Sequence, residues 1–99
     1  MPSTIVQYRV KPDRADENQR LIEAVFADLE ARKPKGFTYQ SFRLEDGVSF
    51  VHVSVEDETV TDRDSLADVP AFKAFVADIA DRCELPPAAR GATILGSHG

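Results

Sequence analysis

The sequence has no tryptophan, one cysteine and no long apolar run. With Cys83 alone, an intrachain disulfide is excluded, and so is any metal or redox motif built on paired cysteines. A bilayer-spanning helix needs about 20 consecutive apolar residues, and no segment approaches that. Met1 to Thr4 carries no basic region ahead of a hydrophobic stretch, so the sequence predicts a cytoplasmic protein without membrane attachment. Basic residues are also in deficit: 12 Lys and Arg against 17 Asp and Glu give a formal net charge of -5. That sign repels phosphate backbones and anionic lipid, which removes nucleic acid from the expected partners.

What is present suits one folded unit. A chain of 99 residues, 42% of them hydrophobic, has the material for a single core, and residues 1–99 are read as one domain. Repeats and low-complexity blocks are absent.

Ile5 to Val10 has strand composition and is closed by Pro12-Asp13. From Arg14 to Lys33, Ile22, Val25, Phe26 and Leu29 recur at i, i+3, i+4 and i+7, the stripe of an amphipathic helix ended by Pro34 and Gly36. Phe37 to Leu44 and Val48 to Val55 are two strand patterns around Glu45-Asp46-Gly47, a hairpin signal. With Asp46 and Gly47 as the central turn residues, Arg43 pairs with Phe50, Ser41 with His52 and Tyr39 with Ser54. One hairpin face then carries Phe42, Val51, Val53 and Val55, and its apolar character predicts that it joins Val6, Tyr8 and Val10 beneath the helices. The other, with Gln7, Arg9, Tyr39, Ser41, Phe50, His52 and Ser54, is too mixed for a core and calls for a second subunit as cover. Glu56 to Asp68 reads as a long acidic connection, with Ca²⁺-loop spacing missing, so no metal site is expected. A second helix starts at Pro70 with the stripe Phe72, Phe75, Val76, Ile79 and Cys83, and Pro86-Pro87 forbids its continuation. Ala92 to Leu95 reads as a fourth strand, and the last residues as a tail.

The order β-α-β-β-α-β predicts an α+β ferredoxin-like sandwich, with both helices on one face of a four-stranded antiparallel sheet. Within that frame, Val-Gln-Tyr-Arg-Val-Lys-Pro (6–12), the hairpin Phe-Arg-Leu-Glu-Asp-Gly-Val-Ser-Phe-Val-His-Val (42–53), Pro-Ala-Phe-Lys-Ala-Phe (70–75) and Leu-Gly-Ser (95–97) resemble the antibiotic biosynthesis monooxygenase family of the dimeric α+β barrel superfamily. The resemblance spans nearly the whole chain and implies a homodimer formed through the bare sheet face. It also implies a ligand pocket between sheet and helices, and for some members a cofactor-free oxygenation of phenolic polycycles or quinols. Haem-degrading members of that superfamily use an asparagine on strand one, a tryptophan, and a histidine on the second helix. Here the strand-one position falls on Val6, tryptophan is absent and the second helix has no histidine, which disfavours that activity.

Among individual residues, His52 is the one histidine inside an expected element, and imidazole titrates near neutrality, which suits a general base. The competing reading is a histidine merely hydrogen-bonded to Ser41, Tyr39 or Gln7. Tyr8 and Gln40 are expected on the helix side, Tyr8 as a donor to a developing oxyanion and Gln40 orienting a ligand carbonyl or hydroxyl. Tyr39, Phe42, Phe72 and Phe75 are candidate pocket residues, and Arg9 is expected to bind an anionic group or a partner carboxylate. No metal or flavin motif is found, so no cofactor is expected. Two functions remain: a cofactor-independent monooxygenase for a small aromatic, quinol or polyketide-like molecule, or a non-catalytic homodimer that binds a small ligand or serves as an accessory or stress protein.

Overall fold

A computed structural model describes residues 2–99. The elements are β1 (Pro2–Val10), α1 (Ala15–Arg32), β2 (Phe37–Arg43), β3 (Ser49–Glu56), α2 (Pro70–Ala77), α3 (Ile79–Arg82) and β4 (Cys83–Thr93). The four strands form one antiparallel sheet in the order β2-β3-β1-β4, the ferredoxin-like arrangement the element order predicts. Among the described residues no helix is long and apolar enough to cross a membrane.

The hairpin register is the expected one: Arg43 faces Phe50, Ser41 faces His52 and Tyr39 faces Ser54. The turn itself sits one residue earlier than a two-residue Asp46-Gly47 turn. Gly47 donates its N–H to the Leu44 carbonyl (3.0 Å) at φ 77°, a conformation glycine adopts without strain. The Asp46 carboxylate accepts from the Val48 and Ser49 amides (2.9 and 2.8 Å) and from the Ser49 hydroxyl (2.6 Å), which holds the loop and with it the register.

The hairpin's two faces are reversed from the expectation, whereas β1 presents the expected sides, Val6, Tyr8 and Val10 to the helices and Gln7 and Arg9 away from them. β1 pairs with β3 so that Tyr8 stands opposite Phe50, Val6 opposite His52 and Thr4 opposite Ser54, and directly opposed residues share a face. Tyr39, Ser41, Phe50, His52 and Ser54 therefore lie with Val6, Tyr8 and Val10 beneath the helices. Gln40, Phe42, Val51, Val53 and Val55 lie on the bare side with Ile5, Gln7 and Arg9. The valines drew the core to the wrong side because both hairpin faces are about half apolar. The aromatic face wins because Tyr8 stacks with Phe50 and His52, at 5.7 and 5.3 Å and nearly parallel to both, while Phe75 of α2 packs tilted against Tyr8 and His52.

The second half also departs from the expectation. The helix predicted from Pro70 through Cys83 breaks at Asp78, and β4 begins at Cys83, well before Ala92. Pro86 and Pro87 sit inside β4, at a place where Gln7 pairs with Ala88 and Arg9 with Leu85. Two prolines thus bulge opposite Tyr8, on an edge strand that can spare their missing N–H groups.

The core is built from Tyr8, Val10, Ala15, Ile22, Val25, Phe50, Phe75 and Cys83, with Phe26, Leu29 and Phe72 packed against it. Phe50 is 1% exposed and Phe42 is 47% exposed, so they report on opposite faces of one hairpin. Phe50→Ala is expected to lower the unfolding free energy by about 3–5 kcal/mol. Phe42→Ala is expected to cost under about 1 kcal/mol at low protein concentration, where any association is dissolved. Equal losses in denaturant titrations would contradict the assignment of faces.

Candidate functional site

Between the helix side of the sheet and α2–α3 lies a cavity of ≈ 400 Å³, a size at the lower end of small-molecule sites. Its walls are apolar for the most part, with Val6, Leu66, Phe72, Phe75, Val76 and Ile79, and its polar members come from the sheet: Thr4, Tyr8, Tyr39, His52 and Ser54. The alternation of strands delivers these polar side chains. Tyr8, His52 and Tyr39 sit on three adjacent strands at positions that all point toward α2.

A continuous hydrogen-bonded chain runs from the protein interior to this cavity. Arg82, 1% exposed at the end of α3, donates Nε–H to the Asn18 side-chain oxygen (3.0 Å) and Nη2–H to the Phe75 carbonyl (2.6 Å). Its guanidinium also lies 5.3 Å from the centre of the Phe75 ring, a cation–π contact. Asn18, fully buried on α1, donates Nδ2–H to the Tyr8 hydroxyl (3.0 Å). The Tyr8 hydroxyl lies 2.7 Å from His52 Nε2. His52 Nδ1 lies 2.7 Å from the Tyr39 hydroxyl and 2.6 Å from Ser41 Oγ. No buried side-chain nitrogen or oxygen among the described residues lacks a partner.

Burial sets the protonation of these groups. It pushes the His52 imidazole down from 6.5 to about 4, so the ring is neutral at pH 7. It raises the Tyr8 and Tyr39 hydroxyls above the ordinary phenol value, more than their hydrogen bonds to Asn18 and Ser41 lower them, so both remain protonated. The Cys83 thiol is likewise raised by burial, which suits a core residue and not a nucleophile.

Of the residues singled out from the sequence, Tyr8, Tyr39, His52, Phe72 and Phe75 converge on this cavity. Gln40 and Phe42 do not: with the faces reversed, both lie on the far side of the sheet, away from it. Arg9 also lies on that side, where it pairs with Glu84 of its own chain at 3.5 Å across the β1–β4 edge. Gln7, offered as a hydrogen-bond partner for His52, is on the opposite face from it. Two members of the chain went unread, Asn18 and Arg82. Asn18 stands at i−4 from Ile22 and i−7 from Val25, so it belongs to the buried stripe of α1. Arg82 follows Ile79 by three residues on the buried side of the second helical segment. A polar residue in register with an apolar stripe was the signal in both cases. Among the described residues, no group of three or more His, Cys, Asp or Glu is placed to hold a metal ion.

The neutral His52 gives a pH dependence with a definite sign. Its folded value lies below its unfolded one, so between about pH 6.5 and 4 the unfolded chain binds the extra proton and stability falls as the pH falls through that window. The loss from this group approaches on the order of 3 kcal/mol at the acid end. An NMR titration of the folded protein should place the His52 ring midpoint at about 4. A midpoint near the ordinary 6.5 would contradict the buried, neutral assignment.

No family model and no curated protein matches this sequence. Solved structures do match in shape. The chain is similar to Rv0793 from Mycobacterium tuberculosis, with a TM-score of 0.73 and 17% identity over 99% of this chain and 98% of that one. It is similar to a protein named antibiotic biosynthesis monooxygenase, with a TM-score of 0.74 and 18% identity over 97% of this chain and 100% of that one. A third, the NE2512 protein of unknown function from Nitrosomonas europaea, has a TM-score of 0.69 and 14% identity over 98% of this chain and 91% of that one. The chain therefore shares, from end to end, the ferredoxin-like fold of structures that include a named antibiotic biosynthesis monooxygenase.

Proposed function

We propose that this chain is a member of the antibiotic biosynthesis monooxygenase-like group, a cytoplasmic homodimer that oxygenates a compact aromatic, quinol or polyketide-like molecule without metal or flavin. The observation that carries the reading is the cavity beneath α2, apolar and aromatic in its walls and ended by a Tyr39–His52–Tyr8 array that belongs to one side of the sheet. The substrate ring packs against Phe72 and Phe75, and its oxygen faces the Tyr39 hydroxyl. Loss of a substrate proton to water at the cavity mouth leaves a carbanion or phenolate, whose electrons pass to O₂ as a new C–O bond forms. Loss of water then breaks the O–O bond, so a methylene and O₂ become a carbonyl and H₂O. The electrons come from the substrate, and the protein contributes orientation, exclusion of bulk water and hydrogen bonds to the anion.

The dimer reading rests on the bare face, where Ile5, Phe42, Val51, Val53 and Val55 form an apolar surface in a single chain. A second reading, a non-catalytic dimer that binds the same class of ligand, is favoured by one specific feature. Both ring nitrogens of His52 already have partners within 2.7 Å, so no free base faces the ligand.

An oxygen electrode separates the two functions. With an anthrone or a quinol, O₂ uptake above buffer is expected, and Tyr39→Phe should lower it about 10²-fold, the usual loss when one oxyanion donor is removed. Uptake equal to buffer would end the enzyme reading and leave the binding one. In sedimentation, the chain is expected to run as a dimer and Phe42→Arg as a monomer, whereas a wild-type monomer at high concentration would remove the dimer reading.

A further inference from the structure

The hydrogen-bonded chain has a direction, and the direction is fixed by Arg82. A guanidinium has only donors, so the Asn18 atom facing Arg82 Nε must be the side-chain oxygen. The amide group of Asn18 is thereby turned toward Tyr8 and donates to its hydroxyl oxygen. The Tyr8 proton then has one partner left among the described residues, His52 Nε2, which must accept it. A neutral imidazole that accepts at Nε2 carries its hydrogen on Nδ1. The Nδ1–H faces the Tyr39 oxygen and Ser41 Oγ, so neither oxygen can send its own proton to the ring and the Tyr39 oxygen stands toward the imidazole as an acceptor. The Tyr39 proton is what remains for the cavity, whose wall Tyr39 forms.

We infer that Arg82, through Asn18 and Tyr8, locks His52 in the Nδ1–H tautomer, and that the cavity is consequently a hydrogen-bond donor site that selects ligands by an acceptor oxygen, a carbonyl or a phenolate. Arg82, Asn18 and Tyr8 are positioning residues in this account: none supplies the terminal donor, and together they set which way every proton points. His52 is a conduit for that polarity and not a base, because the nitrogen that has a lone pair is already taken by the Tyr8 hydroxyl. The inference deepens the proposed reading of the same cavity by naming the ligand class, and it does not require that any reaction take place.

The resting protein tests it without substrate. Nitrogen-15 NMR of the His52 ring should show a protonated Nδ1 and an unprotonated Nε2. Asn18→Asp should reverse this. A carboxylate still accepts from Arg82 and also draws the Tyr8 proton to itself, so the Tyr8 oxygen becomes an acceptor and His52 moves its hydrogen to Nε2. A wild-type ring protonated on Nε2, or an Asn18→Asp ring still protonated on Nδ1, would overturn the inference. Should that variant not fold, the wild-type spectrum decides alone. The ligand arm uses 1,4-naphthoquinone, which has acceptors and no donors, against naphthalene. The quinone is expected to bind at least about tenfold more tightly to wild type, in keeping with about one net hydrogen bond to a buried donor, and to lose that margin in Tyr39→Phe. Equal affinities in wild type would overturn the donor assignment. Absence of O₂ uptake would end the enzyme reading while leaving tautomer and quinone preference intact, and the reverse pattern would separate them the other way.

Discussion

A buried cation that makes no salt bridge among the described residues is the constraint around which this molecule is arranged. Arg82 is enclosed at the junction of α3 and β4, and its donors go to neutral partners: the Asn18 amide oxygen, the Phe75 carbonyl and the Phe75 ring face. A buried charge is costly unless its hydrogen bonds are met, so these partners are not interchangeable. Meeting them ties three parts of the chain together. Asn18 brings the start of α1, the Phe75 carbonyl brings α2, and the Arg82 backbone carbonyl accepts from the Lys11 amide at 2.8 Å, which fastens the end of β1. The break at Asp78 belongs to the same arrangement, because it lets a side chain of the next turn reach back to a helical carbonyl.

From that anchor the rest of the site follows by satisfaction of donors and acceptors. Asn18 can meet Arg82 in one orientation only, Tyr8 can then pass its proton in one direction only, and the imidazole between two tyrosines is left with a single tautomer that suits all its neighbours. The stacking of Tyr8 with Phe50 and His52, with Phe75 tilted against them from α2, holds the planes of these groups, and so the chain of hydrogen bonds is carried by rigid rings on strands. The consequence for chemistry is that a histidine at the centre of a cavity need not be its base. Its environment makes it neutral and engages its lone pair with the Tyr8 hydroxyl, and the cavity offers a proton where a free imidazole would accept one.

Much of the fold was legible in the sequence because it depends on local signals. The apolar stripe of Ile22, Val25, Phe26 and Leu29 located α1, and Asp46-Gly47 fixed the pairing of Arg43 with Phe50 and of Ser41 with His52. The faces were not legible. Alternation says which residues share a side of a strand, but the hairpin has valines on one side and aromatics with a histidine on the other, and only the pairing of Tyr8 with Phe50 decides between them. Gln40 and Phe42 were misplaced for that one reason. The prolines of β4 misled because an edge strand tolerates what a central strand does not, and edge position is a property of the assembled sheet. Asn18 and Arg82 were readable as polar residues in line with apolar stripes. What the sequence could not convey is that they meet, 64 positions apart, and meet Tyr8 as well.

The orientation of protons along this chain is the central claim, and neutron diffraction from deuterated crystals sees it directly. The account predicts deuterium on His52 Nδ1, the Tyr8 deuterium pointing at Nε2, and the Tyr39 deuterium pointing into the cavity. Deuterium on Nε2, with the Tyr8 hydroxyl turned away from the ring, would contradict it.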